Sequence, residues 1–305
     1  MAEILFGTAS FAYEGWKGLV YHDRYREASF RVECLREYVR FPPFRTVEFD
    51  FPFYRPPTAA QLKRYGSVLP AGFPVLSKVW EELTIPRFPD VPRHAGRAGA
   101  ENPRYLDARV FREEVLPAYE AAFRGHTGPF VFEFPTEWQP TPERRELFLS
   151  RLDHFLGELP GGFSYSVEIR TPAYFVPDYF AVLRRHAVAH VFNWWTRAPP
   201  LLEQWEAAGE LPAKFSVTRI LVPPGLPYAE AVERFRPYDR LLAPREDMRR
   251  DAVRLIRQVT GAGADAYVLV NNRSEGCAPL TIRALATELG IDTTAPGPPR
   301  TLFDE

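Results

Sequence analysis

The chain has 305 residues, 46% of them hydrophobic and 25% charged, with 38 basic side chains against 39 acidic ones and a net charge of -1. This is enough apolar material for a large core, and the charge balance offers no global attraction to nucleic acid or to an anionic membrane. The opening MAEILFGTAS has no basic stretch followed by a long apolar run, and no segment is apolar for long enough to cross a bilayer. The two cysteines, Cys34 and Cys277, are far apart and outside any paired-cysteine spacing, which excludes a disulfide framework and a cysteine zinc motif. A cytoplasmic protein is the expectation.

Eight short β-rich runs follow one another along the chain: residues 4–10, 46–51, 74–79, 130–134, 163–169, 188–194, 215–221 and 266–271. Each is short, apolar and rich in β-branched or aromatic residues, as a strand buried in a parallel sheet should be. Helical patterns fall between them, at 30–38, 59–68, 111–123, 143–159, 177–185, 249–260 and 279–289. In the fourth of these, Leu147, Phe148, Leu152, Phe155, Leu156 and Leu159 share a face, and Thr141-Pro142 reads as an N-cap followed by proline at the first helical position. Strands alternating with helices imply parallel pairing through right-handed crossovers, and eight such units predict closure into a (β/α)8 TIM barrel. Gly7-Thr8-Ala9-Ser10 after the first strand does not fit the glycine-rich turn of a dinucleotide-binding sheet. One barrel domain over 1–292 with an irregular tail, 293–305, accounts for the chain. Residues 80–107 and 222–245 are too long for plain barrel loops and follow the third and seventh strands, on the face where barrel active sites form.

Side chains in the middle of barrel strands fill the interior, so polar groups at strand C-terminal ends need another explanation. Nearly every strand here ends in one. The second gives Glu48 and Asp50, followed by Tyr54 and Arg55; the third gives Lys78; the fourth, Glu133; the fifth, Glu168 and Arg170. The sixth gives Asn193, the seventh Arg219, and the eighth Asn271 and Asn272. Buried charges must be paired, and four carboxylates against the cations Arg55, Lys78, Arg170 and Arg219 would form one neutral ring. Such a ring either closes the barrel mouth as a structural network or serves a polar ligand. In the second case Glu48, Glu133, Glu168 and Lys78 are the catalytic candidates. Asp50, Tyr54, Arg55, Arg170, Asn193, Arg219, Asn271 and Asn272 would bind substrate. No histidine ends a strand and no cofactor fingerprint is present, so neither a metal nor a cofactor is expected.

The same segments carry a resemblance. Gly7-Thr8-Ala9-Ser10-Phe11-Ala12-Tyr13 with Trp16, Gly18 and Tyr21, then the run from Val47 to Arg55, Gly72 to Lys78, Gly128 to Pro135, Val167 to Arg170, and Tyr267 to Asn272 with Gly276 and Ala278, match the ordered motifs of the YecE-like family, domain of unknown function 72. The chain resembles a divergent member of that family. The resemblance implies a TIM barrel and brings no reaction with it. Asp50 stands where the family usually has Asn, Glu133 where it has Gln, Asn193 where Asp is common and Arg273 where Asp often follows the Asn pair. Thr171 replaces a frequent His, and Val222 lies near where an Arg-x-His-Gly is usual.

These readings favour an enzyme of hydrolase or lyase type acting on a small polar substrate, anionic or sugar-like. A non-catalytic small-molecule-binding barrel is the alternative. A nucleic-acid processing protein is a third reading, disfavoured by the net charge, with Arg87, Arg93, Arg97 and Arg104 as its only local patch.

Overall fold

The computed structural model of the chain describes residues 2–294, so most of the expected tail lies outside the described residues. Eight parallel strands form one sheet: β1 (Ile4–Thr8), β2 (Val47–Phe49), β3 (Val75–Lys78), β4 (Thr127–Phe134), β5 (Tyr165–Ile169), β6 (Ala189–Trp194), β7 (Phe215–Ile220) and β8 (Asp265–Val270). Their order is β1-β8-β7-β6-β5-β4-β3-β2, with helices in the crossovers. All eight expected strands are present; β4 starts three residues before residue 130, through Gly128-Pro129.

The seam between β1 and β2 nearly closes the barrel. Phe6 bridges to Phe44, and the backbone N–H groups of Arg45 and Thr46 both donate to the Phe6 carbonyl, at 2.8 and 3.2 Å. Two residues make the approach possible. A methyl group on Gly7 would sit 2.3 Å from the Thr46 carbonyl oxygen, so only glycine fits there. Tyr38, fully buried, accepts from Thr8 N at 2.9 Å and donates to the Thr46 carbonyl at 3.0 Å, tying the two edges where strand pairing is missing.

Strand alternation sorts the residues of the barrel. Leu76, Val131, Val191, Val217 and Leu269, with Phe215 and Tyr267 packed against them, fill the lower interior. Two residues further along the same strands come Lys78, Glu133, Asn193, Arg219 and Asn271, so parity alone aims the polar strand ends into the lumen above the apolar layer. The outward set, including Phe6, Phe49, Phe130, Phe132, Val167 and Phe192, packs under the helices.

The helices match the periodicity, with differences of a few residues. The helix of the fourth crossover spans Pro142–Gly157, capped by Thr141, whose hydroxyl accepts from Arg144 N at 3.3 Å. Leu147 is an exception to its expected face: it is 55% exposed, and Leu149 is buried instead. Both long loops are internally packed. Residues 222–245 contain a helix, Tyr228–Phe235, over an apolar cluster of Val222, Leu226, Ala231, Phe235 and Tyr238. The loop after β3 folds around two buried carboxylates. Glu81 pairs with Arg93 at 2.5 Å, and Glu82 with Arg97 at 2.8 Å and Arg104 at 3.5 Å, while Arg87 meets Glu101 at 2.8 Å. The four arginines of the expected basic patch are thus neutralised within their own loop.

Tyr38→Phe leaves the buried Thr8 N–H without an acceptor. It is expected to cost about 1–3 kcal/mol of stability, measured by urea unfolding; a variant as stable as the wild type would remove Tyr38 from the seam.

Candidate functional site at the barrel mouth

Arg219 rises from β7 and crosses the lumen. Its Nη1 donates to Glu133 at 2.9 Å and to Glu168, and its Nη2 donates to Glu48 at 3.1 Å. One guanidinium therefore joins β7 to β2, β4 and β5. Glu133 and Glu168 are register partners on neighbouring strands, and two such carboxylates side by side need shared cations. Arg170 supplies the second, with Nε on Glu168 at 2.8 Å and Nη2 on Glu133 at 2.9 Å. Lys78 supplies the third, between Asp50 at 3.0 Å and Glu133 at 3.1 Å, with its ammonium 3.8 Å from the Phe53 ring centre. Asn193 completes the group by donating to Glu168 at 2.7 Å, and its own backbone is held on both sides by Gln204.

Seven ionised or ionisable side chains therefore meet. Glu48, Asp50, Glu133 and Glu168 face Lys78, Arg170 and Arg219, four acids against three bases. The expected fourth cation is absent from the ring. After Asp50 the chain enters a tight turn, Phe51–Phe53, with Pro52 at its start, which carries Tyr54 and Arg55 out to the surface. Asn271 and Asn272 also stand apart. Asn271 Oδ1 accepts from Arg273 N at 3.0 Å, and Asn272 Oδ1 accepts from Trp16 Nε1 at 3.2 Å and Ala278 N at 2.8 Å. Both fix the turn after β8 and are not in the ion network.

The excess negative charge is reflected in the protonation of the ring. Burial pushes the Glu48 carboxyl up to about 7, against the opposing pull of Arg219 and Lys78. Glu133 is equally buried, but Arg170, Lys78 and Arg219 hold it well below the usual carboxylate range. A proton on Glu48 brings the ring to three against three. Burial would lower the Lys78 ammonium, yet Glu133 and Asp50 outweigh it and raise it, so Lys78 is a fixed cation and not a neutral base or Schiff-base amine. Solvent reaches the network through Asp50, whose side chain is 41% exposed, and Arg170, at 20%; Glu48 and Glu168 are sealed beneath.

With this geometry in place, sequence comparison decides the family. A family model described as "Protein of unknown function DUF72" matches residues 5–302. The chain belongs to the DUF72 family. Solved DUF72 proteins share the fold. One from Enterococcus faecalis V583 is 16% identical with a TM-score of 0.67, covering 98% of this chain and 99% of that one. One from Thermotoga maritima MSB8 is 18% identical with a TM-score of 0.64, covering 94% and 99%. No curated protein matches.

Within this DUF72 barrel the roles of Glu133, Asp50 and Thr171 are visible. Glu133 is the carboxylate that binds all three cations, and Asp50 takes the exposed side of Lys78. Thr171 is buried, and its hydroxyl accepts from Glu137 N at 2.8 Å. Among the described histidines, His190 is turned away from the lumen between Tyr179 and Gln204, and burial pushes it down to about 3. His94 lies in the loop after β3, against Glu81. Among the described residues no cluster of three or more His, Cys, Asp or Glu side chains is arranged to hold a metal ion, and no helix is long and apolar enough to cross a membrane. Phe53 lies against the Lys78 ammonium, and Gln204, which the sequence pattern does not single out, holds the Asn193 backbone. Nothing but its helix spacing could have flagged Gln204.

Two outcomes follow from the network. A carboxyl held above its ordinary value of 4.5 binds its proton more tightly in the folded state, so its contribution to stability is complete below that value and is lost as pH rises through about 7. Glu48→Gln cannot ionise, so its stability advantage over the wild type should grow from pH 5 to pH 8; parallel urea-unfolding curves would contradict the assignment. Arg219→Met strands buried carboxylates and is expected to cost about 3–5 kcal/mol by the same measurement.

Proposed function

We propose that this DUF72 protein is an acid–base enzyme, of hydrolase or lyase type, acting on a small polar, sugar-like substrate held at the barrel mouth. One observation carries this reading. Two carboxyls bonded to the same guanidinium are shifted in opposite directions, Glu48 up to about 7 and Glu133 well below the carboxylate range. Environments that split a pair of acids in this way are how a fold obtains a proton donor and a fixed anion at neutral pH. The proton-holding member here is Glu48.

The division of labour follows from exposure. Asp50 is the movable carboxylate: a substrate hydroxyl that takes its place on Lys78 uncovers the Glu48 carboxyl below it. Lys78 and Arg170 then orient the substrate's oxygens, while Glu133 and Glu168 keep those cations charged and fixed. Glu48 gives its proton to the leaving oxygen as the C–O bond breaks; in hydrolysis a water adds to the carbon, and the proton it releases restores Glu48. A balanced network suits a hydroxylated, uncharged portion of the substrate better than an anion, because every one of its cations already has a carboxylate.

The second reading, a binding barrel without chemistry, is favoured by the complete burial of Glu48 and Glu168. Nitrophenyl glycosides and uronate esters are suitable probes for hydrolase and lyase turnover. Glu48→Gln is expected to lower kcat by about 100-fold or more and to abolish a limb of the pH–rate profile near 7, whereas Lys78→Met should act mainly on KM. Turnover unaffected by Glu48→Gln would rule out the acid. Binding of the probes without turnover, weakened by Lys78→Met, would support the second reading.

A further inference from the structure

Outside the ring, Arg273 is a cation at the mouth without a countercharge among the described residues. It follows the Asn271-Asn272 pair in the turn after β8 and is half-buried. No carboxylate lies within ion-pair distance of it among the described residues, in contrast to Lys78, Arg170, Arg219 and the loop arginines. Its Nε is buried and has no hydrogen-bond partner among the described residues. A half-buried guanidinium without a countercharge is costly by itself, and an oxyanion bound at its Nη atoms would supply that charge.

The surroundings position this group. The Arg273 guanidinium lies 4.6 Å from the centre of the Tyr228 ring, which is 62% exposed at the start of the helix Tyr228–Phe235. That helix packs on the Asn272–Ser274 turn, so the pair is held by backbone on both sides. Tyr13, from the loop after β1, is the other neighbour: burial pushes its hydroxyl up and the charge of Arg273 pulls it back. Tyr228 also lies within electrostatic reach of Tyr54, which stands in turn near Asp50 and Lys78. The unmatched cation therefore borders the same mouth as the neutral ring.

We propose that Arg273, seated against Tyr228 and Tyr13, is an anion-binding site that takes the carboxylate or phosphate of the substrate, making that substrate an acidic sugar. The inference rests on the reading of the mouth as a sugar-binding site, and it separates the work: the balanced ring takes hydroxyls, and Arg273 takes the charge. The two oxygens of a carboxylate, or two of a phosphate, match the fork formed by the two Nη atoms. The Tyr228 ring lies against the guanidinium and helps to hold it.

Calorimetric titration with glucuronate, glucose 6-phosphate and glucose tests it. At least one acid is expected to bind the wild-type protein about tenfold or more tightly than glucose, and which acid does so tells carboxylate from phosphate. Arg273→Gln should bring that acid to the level of glucose without changing glucose itself, and Arg273→Lys should recover part of the preference. In the wild type the preference should shrink as salt is raised, a readout that needs no variant. Acids bound no better than glucose, a preference that survives Arg273→Gln, or one indifferent to salt would each overturn the proposal. Lys78→Met keeps the two readings apart. Loss of glucose binding in that variant supports the mouth as the sugar site even if Arg273 proves inert; an acid preference that depends on Arg273 but not on Lys78 supports the anion site alone.

Discussion

A single guanidinium carries the architecture of the barrel mouth. Arg219 is buried, reaches across the lumen, and is bonded to carboxylates from three other strands. Taking charges out of water at this depth is unfavourable unless each finds partners with good geometry. That requirement dictates the rest: Glu133 and Glu168 can sit in register only because Arg170 and Arg219 lie between them, and Lys78 can stay charged only because Asp50 and Glu133 flank it. The apolar layer of Leu76, Val131, Val191, Val217 and Leu269 closes the lumen below, so the network has solvent on one side only.

Glu133, Asp50 and Arg273 set the charge of the mouth together. With Glu at 133 and Asp at 50 the ring holds four acids against three bases, and burial, with Asp50 and Glu168 adding to it, lifts the Glu48 carboxyl up to about 7. Arg at 273 adds a positive charge beside the ring but outside it. The outcome is a mouth with a charge-paired centre and a cation at its edge.

The long loops matter to the site through their rigidity. The loop after β3 is built on Glu81 and Glu82, and the loop after β7 on its own apolar cluster. A methyl on Gly15 would lie 1.9 Å from the Pro237 carbonyl oxygen, so the loops after β1 and β7 pack backbone to backbone. Tyr13 and Tyr238 meet across that contact with ring centres 5.3 Å apart. Arg273 and Tyr228 stand on this locked surface.

The order and period of the sequence determined the eight strands, their parallel pairing and the C-terminal location of the polar ring, because alternation and crossover handedness are local rules that the chain cannot evade. They also placed Glu48, Asp50, Lys78, Glu133, Glu168, Arg170, Asn193 and Arg219 together, since each ends a strand. Only the tertiary structure decided which of the strand-end side chains joined the network. Parity aimed Asn271 at the lumen too, but Asn271 and Asn272 are taken up by hydrogen bonds within and around the turn after β8, and a proline-led turn removed Arg55. The seam glycine, the neutralised loop arginines and the unmatched Arg273 were illegible for one reason. Each depends on what lies opposite in space, from β2 facing Gly7 to Glu81 facing Arg93, and distance along the chain does not encode it.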